Sequence, residues 1–140
     1  GAADSTLFFA SASNLVVVVL IEEPTSFLDA YALIKAANLE TGVKNFAVIV
    51  NMAETKNMAK RSFEKFRDIA MRFLDINLHY AGMIPQSKDI KHAVTQRTPV
   101  TISKPESMAS TAFRDVSKNL MTVPIPKTNT LKFFDHVGEK

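Results

Sequence analysis

The chain has 140 residues, of which 46% are hydrophobic and 22% are charged. This is the size and composition of one folded domain rather than of a disordered segment. Seventeen basic residues stand against fourteen acidic ones, with a net charge of +3; so mild an excess does not favour nucleic acid, and we expect none as a partner. The absence of cysteine excludes disulfides and thiolate chemistry and is typical of a cytoplasmic protein, the location we expect.

The apolar stretch from Leu7 to Ile21 invites comparison with a signal peptide or a membrane span. No Lys or Arg precedes it, and polar residues interrupt it before Leu15. Its unbroken part, Leu15–Ile21, is far shorter than the roughly 20 apolar residues of a spanning helix. This β-branched run without alternation predicts a strand buried on both faces, as in a parallel sheet.

Helical and extended patterns alternate after this strand. A helix is predicted from Thr25 or Ser26, either of which can cap it, to Gly42, which can end it. The remaining predicted elements are a strand at Asn45–Asn51, a helix at Lys56–Asp75, a strand at Leu78–Ile84 and helices at Ser87–Thr95 and Glu106–Leu120.

Two of these helices show an apolar stripe that we expect to face the sheet. The stripe of the helix from Lys56 consists of Phe63, Phe66, Ile69, Ala70 and Phe73. The inward positions of the last helix are Met108, Ala112, Phe113, Val116 and Leu120.

This order of elements predicts an α/β fold, a partial doubly wound parallel sheet of about three strands with flanking helices. We assign residues 1–121 to this domain. The segment 122–130 contains two prolines without a helical or strand period and is predicted to be a linker, followed by a short amphipathic tail at 131–140.

No catalytic or metal centre is visible in the sequence. The histidines His79, His92 and His136 are scattered and lack a second ligand at metal spacing, so we expect no metal site. His79 lies within a predicted strand and is interpreted as a structural histidine with its hydrogen bonds satisfied. Four separated glycines cannot form a Gly-rich phosphate loop, and no catalytic residue is predicted.

Several segments, in order along nearly the whole chain, resemble the MinD/ParA family of P-loop ATPases. The resemblance is strongest to its FlhG/FleN branch, which regulates flagellar number. It is carried by the sequences E-P-T-S-F-L-D-A-Y-A-L-I-K at 23–35, V-I-V-N-M at 48–52, Y-A-G-M-I-P at 80–85, R-T-P-V at 97–100 and S-M-A-S-T-A-F at 107–113. The resemblance implies the C-terminal half of a P-loop NTPase fold.

The resemblance also implies which parts of the family's site have no counterpart here. Gly1-Ala-Ala3 resembles the end of the family's G-A-G segment, and the phosphate-binding lysines and the magnesium-side aspartate that come earlier in the family are missing. An intact parent would be a magnesium-dependent ATPase. We expect the 140-residue chain not to hydrolyse ATP, because no group positions the γ-phosphate.

The resemblance implies that the adenine side of the site is retained. The cofactor-binding residues are then Asn51 and Met52 after one strand and Pro85 and Gln86 after the next, with ATP or ADP held weakly or not at all. Asn51 carries both a donor and an acceptor for the edge of the base. The alternative for Asn51 is a residue that only begins a turn. Two residues depart from the family's pattern: Ser87, where the family usually has Asp, and Glu22, where it often has Pro.

Two kinds of partner are implied. In the family, the strand matching Leu15–Ile21 pairs with the P-loop strand, so we expect self-association through this edge. The tail resembles the family's membrane-surface helix, and its expected contacts with an anionic membrane are Leu131, Phe133, Phe134 and Val137. Peripheral binding at the inner membrane follows; the alternative is that the tail packs on its own domain.

The predicted function is the adenine-side half of an ATP-dependent switch that regulates flagellar number or placement. The alternative is an interaction module that lacks the P-loop and binds a partner without catalysis.

Overall fold

The fold is given by a computed structural model that describes residues 2–125, with side chains from residue 4 onward. The tail residues Leu131, Phe133, Phe134 and Val137 lie outside the described residues. The elements in chain order are α1 (Ala2–Ala12), β1 (Val16–Leu20), α2 (Pro24–Thr41), β2 (Asn45–Ala53), α3 (Lys56–Phe73), β3 (Asn77–Pro85), α4 (Lys88–Thr95), α5 (Val100–Ser103) and α6 (Met108–Thr122).

The three strands form one parallel sheet in the order β1-β2-β3. The β-branched runs of β1 and β2 fit a pleated surface. The expectation that the first strand is buried on both faces is wrong, because Val17 is 41% exposed and Val19 is 56% exposed. Val18 pairs with Val48, and Val48 pairs with Tyr80 on its other side. The predicted α/β class and the three-stranded parallel sheet are confirmed.

Helices cover the two faces of the sheet unequally. On one face, side chains of α1, α2 and α3 share a core with the strands, in which Leu20, Ile34 and Phe46 are fully buried. On the other face, α6 packs on β3. A smaller core joins Ala47 and Ala81 there with other apolar side chains and with residue 123, just after α6.

The beginning of α2 differs from its prediction. The helix begins at Pro24, and Glu23 is its N-cap without a side-chain bond, so the expectation of a Thr25 or Ser26 cap is wrong. The Ser26 hydroxyl instead accepts a hydrogen bond of 3.0 Å from the Ile21 N–H, because the chain turns sharply between β1 and α2. The end at Gly42 is confirmed, with a φ of 74° in the left-handed region that glycine tolerates.

The buried stripe of α3 is narrower than its pattern suggests. Phe63, Phe66 and Ala70 are buried as predicted. Ile69 is 57% exposed and Phe73 is 69% exposed, so their placement on the sheet is wrong. Both residues lie on the flank of α3 that faces α2, where the two helices leave a groove between them.

The last helix, α6, buries Val116 but not all of its predicted inward positions. Met108 is 84% exposed and Phe113 is 40% exposed, so these two predictions are wrong. The close approach of α6 to β3 depends on Gly82, which has a φ of 122° and where a Cβ would lie 3.1 Å from Val116 Cγ2. Among residues 2–125, no helix combines the length and apolar character needed to cross a bilayer.

Candidate functional site

The candidate site lies at the carboxyl edge of the parallel sheet, where open α/β folds bind their ligands. Glu22 follows β1, Asn51 and Met52 stand near the end of β2, and Pro85 ends β3. Because the strands are parallel and adjacent, these residues reach the same edge of the sheet.

The backbone of β2 bulges at this edge. Val50 pairs with Met83 and Ala53 pairs with Pro85, so two residues of β2, Asn51 and Met52, stand opposite one residue of β3. Met52 adopts a φ of 53°, which L-residues other than glycine rarely take. Such a conformation costs on the order of 1–3 kcal/mol and is concentrated at functional sites.

The Asn51 side chain stabilises the bulge from within. Its Oδ1 accepts a hydrogen bond of 2.9 Å from the N–H of the next residue, Met52. An Asx turn would instead use the N–H two residues further on. Within the described part of the chain, no group accepts a hydrogen bond from Asn51 Nδ2. The half-buried amide therefore keeps both N–H donors of Nδ2 and one lone pair of Oδ1 for a ligand.

The segment after β3 is held beside the bulge. The Gln86 N–H donates to the Ala53 carbonyl at 3.1 Å, which extends the ladder beyond the last pair of the sheet. Pro85 is half-buried and the Gln86 side chain is exposed. The structure thus brings the four residues named from the sequence to one short edge.

A polar cluster around Glu22 was not predicted as part of the site. The Ser62 hydroxyl of α3 donates to the Glu22 carboxylate. The Tyr80 ring stacks on Phe63 with the ring centroids 5.0 Å apart. Burial raises the pKa of Tyr80 above its ordinary value, and the negative charge of Glu22 raises it further. The only sequence signal for this cluster is the acidic residue at position 22.

Metal ligands and histidines contribute little at this edge. Across residues 2–125, no three His, Asp or Glu side chains come together in a group that could hold a metal ion. His79 Nε2 is buried and has no hydrogen-bond partner in the described chain, so the expectation of a satisfied His79 is wrong. His79 lies at the opposite end of β3 from Pro85.

Comparison with known proteins relates the chain to three of them. The antiactivator FleN of Pseudomonas aeruginosa is 38% identical over 136 residues, covering 96% of this chain and 49% of FleN. The flagellum site-determining protein YlxH of Helicobacter pylori is 28% identical over 141 residues, covering 96% of this chain and 47% of YlxH. The MinD cell division protein of Aquifex aeolicus is similar with a TM-score of 0.63 and 25% identity, covering 84% of this chain and 48% of MinD.

No protein-family model matches the chain. The chain spans about half the length of the curated relatives it matches. The resemblance to the MinD and FlhG/FleN proteins that the motifs indicated is confirmed, and so is the fold class.

Proposed function

Since this chain is related in sequence to the flagellar regulators FleN and YlxH and has the fold of MinD, we propose that it is the adenine-binding half of an ATP-dependent switch. The process that the switch controls is flagellar number or placement. The whole switch needs a second half that supplies the phosphate-binding loop and the magnesium site.

The observation that carries the proposal is the strained bulge at the carboxyl end of β2. Met52, next to Asn51 in the bulge, adopts a backbone conformation that costs free energy, at the edge of the sheet where nucleotides bind in open α/β folds. Asn51 offers Nδ2 as a donor and Oδ1 as an acceptor, the pair that the Watson–Crick or Hoogsteen edge of adenine complements. The backbone of Pro85 and Gln86 forms the neighbouring wall.

Catalysis is not expected from these residues alone. The sequence contains no Gly-rich phosphate loop, and its four glycines are well separated. Hydrolysis requires a positioned γ-phosphate and Mg²⁺ to neutralise developing charge. Magnesium-dependent ATP turnover by the pure 140-residue chain would contradict the expectation that this chain alone does not hydrolyse ATP.

The proposal is tested by titrating ADP into the ¹⁵N-labelled chain. We expect the largest shifts at the amides of Asn51, Met52 and Gln86. Asn51→Ala should weaken binding by about 1–3 kcal/mol, the cost of leaving a polar edge unpaired. Asn57→Ala, an exposed asparagine at the start of α3, is the matched control and should bind as the wild type does. If the Asn51→Ala variant and the wild type bind ADP with equal affinity, Asn51 does not contact the base and only begins the turn.

A second candidate function is an interaction module that binds a partner protein without catalysis. It is favoured by the exposed apolar side chains between α2 and α3. The two functions are compatible, because the exposed apolar side chains lie on α2 and α3, whereas Asn51, Met52, Pro85 and Gln86 lie at the strand ends. Glu22 lines the groove and also lies at the edge of the sheet.

A further inference from the structure

The strand β3 has an outer edge to which no other strand is bonded within residues 2–125. The sheet order is β1-β2-β3, so β3 pairs only with β2. Pro85 ends β3 and has no N–H, so the hydrogen-bond donors of this edge end before it. We refer to the outward backbone groups of residues 78–83 as the β3 edge.

Two hydrogen bonds show which residues of β3 face away from β2. The N–H groups of Asn77 and Gln86 donate to carbonyls in or next to β2, at 2.7 and 3.1 Å. Because the residues of a pleated strand alternate in direction, counting from these two residues directs the backbone groups of Leu78, Tyr80 and Met83 outward. The two counts meet at residue 81, which the register between β2 and β3 passes over.

One side chain already bonds to the β3 edge. The Nδ2 group of Asn119, in α6, donates to the Ala81 carbonyl at 2.9 Å. Among the hydrogen bonds of the described chain, no other reaches this edge from outside the sheet. Asn119 therefore stands where a donor of a neighbouring strand would stand, and its exposed side chain can turn away to admit one.

Two cavities lie along the β3 edge, between α3 on one side and α6 on the other. One has a volume of about 260 Å³ and lies beside Tyr80 and Met83. The other has a volume of about 350 Å³ and lies beside residues 78–80. Lys60, Tyr80 and Asn119 line both cavities, which thus form one trough. A strand added to a sheet edge places its alternate side chains in spaces of this kind.

The two walls of the trough differ in charge. The α3 wall has Lys56 and Lys60, which make no ion pair within the described chain, and Arg67, which already has a carboxylate partner. The acidic residue of that wall is Glu64. On the α6 wall, the charged lining residue is Asp115. The α3 wall therefore favours acidic side chains on an occupant of the trough.

We propose that the β3 edge binds an extended segment of a partner protein, which adds a strand to the sheet and carries Asp or Glu at alternate positions. Its main chain bonds to Leu78, Tyr80 and Met83, and its acidic side chains point toward the α3 wall. A second copy of this chain fits less well, because its strand at Leu15–Ile21 has no charged residue to offer the lysines. This inference does not depend on nucleotide binding.

The probe is a fluorescein-labelled peptide as long as β3, in which Glu alternates with Val and Thr. One control peptide replaces each Glu by Lys. A second control keeps the sequence but carries N-methyl groups on its central amides, which then cannot donate hydrogen bonds. In low salt we expect the acidic peptide to bind the 140-residue chain at least about tenfold more tightly than either control.

Amide hydrogen exchange locates the unlabelled acidic peptide. When it binds, the amides of Leu78, Tyr80 and Met83 should exchange at least about tenfold more slowly, because each gains an acceptor. The amides of His79 and Gly82 already face β2 and should change much less. This alternation distinguishes an added strand from a peptide that contacts only side chains.

Variants test the contribution of charge. Lys56→Glu together with Lys60→Glu should weaken binding of the acidic peptide about tenfold or more. The matched control, Lys35→Glu together with Lys91→Glu, changes the net charge equally on α2 and α4 and should have a much smaller effect. Asn119→Ala should bind at least as tightly as the wild type, because it frees the carbonyl that Asn119 engages. All of these side chains are exposed, so each variant should keep the wild-type circular dichroism spectrum.

Four results would overturn the proposal. The first is no binding of the acidic peptide, or equal binding of this peptide and either control. The second is wild-type affinity in the Lys56→Glu/Lys60→Glu variant, or binding about tenfold weaker in Asn119→Ala. A third is slowed exchange at the amides of β1 instead of β3, which would assign the peptide to the other edge of the sheet. The fourth is protection of the β3 edge without peptide that is lost on dilution, which would assign this edge to a second copy of the chain.

Discussion

At the residue scale, the departure from the family's pattern at position 22 has an electrostatic consequence. Glu22 follows β1, is hydrogen-bonded by Ser62 and acts on the half-buried Tyr80. Burial is the larger cause of the raised pKa of Tyr80 and the Glu22 charge is the smaller one. A phenol with a raised pKa keeps its proton in the folded chain after the unfolded chain has lost it.

This coupling predicts a pH dependence of stability. The free energy of unfolding should be unaffected by Tyr80 below the unfolded pKa of about 10 and should fall as pH rises toward the raised pKa. Tyr80→Phe should remove that part of the decline. In a Tyr31→Phe background, tyrosinate absorbance follows Tyr80 alone, and Glu22→Gln should lower its pKa only part of the way to the ordinary value. An identical Tyr80 titration with and without Glu22→Gln would rule out the coupling.

The residues of the candidate site were only partly predictable. The pattern of a buried strand followed by Asn51 was enough to place that asparagine at the carboxyl edge. The positive φ of Met52 could not be predicted from the sequence of its own strand, because it arises from the register between β2 and β3. Ser26 shows the same limit, since its hydroxyl bonds to the backbone of Ile21 across the turn rather than to its own helix.

At the scale of elements, the strands and helices with a long sequence pattern were the most predictable. The apolar runs predicted all three strands, and Gly42 predicted the end of α2. Two helices were missed. The helix α5 is only four residues long. The helix α1 has no clear apolar stripe, since Leu7 is buried whereas Phe8 and Phe9 are more than half exposed. Ile69 was misplaced because helical periodicity does not show how far apart two neighbouring helices lie.

The strand β1 has an edge whose backbone hydrogen-bonding groups are not paired with another strand of the described chain. Val17 and Val19 of this strand are exposed. The preceding helix, α1, packs against α2. An apolar strand with open N–H and C=O groups pairs readily with another chain.

We therefore predict self-association through the Leu15–Ile21 edge, as dimers or larger oligomers. Val17→Lys together with Val19→Lys should shift the chain toward a monomer, because charges on an edge strand oppose pairing. Val94→Lys places a charge on an even more accessible apolar residue, in α4, and should not change the oligomeric state. Light scattering that reports a wild-type monomer at high concentration would count against this prediction.

At the scale of the whole molecule, the membrane anchor predicted from the sequence lies beyond Ile125. The expected anchor consists of Leu131, Phe133, Phe134 and Val137, which fall on or beside one stripe if the segment is helical. Each large apolar side chain contributes about 1.5–3 kcal/mol when fully buried, before the cost of ordering the segment. One tail should then bind weakly, and two tails in a dimer should bind better through effective concentration.

Co-sedimentation with anionic liposomes tests this anchor. The wild type should sediment, whereas a chain that ends at Ile125 should remain in the supernatant together with a Phe133→Ser/Phe134→Ser variant. The truncation is placed after Val123 because that residue is buried against the sheet. Equal sedimentation of all three proteins would show that the tail does not carry membrane binding.

The central claim is that the chain contacts the base of a nucleotide and not its phosphates. The most direct measurement compares adenosine, ATP and guanosine in separate NMR titrations of the 140-residue chain, followed at the amides of Asn51, Met52 and Gln86. Base-only contact predicts that adenosine and ATP bind with affinities within about threefold of each other and that guanosine binds more weakly. ATP binding about a hundredfold tighter than adenosine would reveal a phosphate site in this chain. Equal binding of adenosine and guanosine would show that the chain does not recognise adenine specifically. Either result would contradict the proposed function.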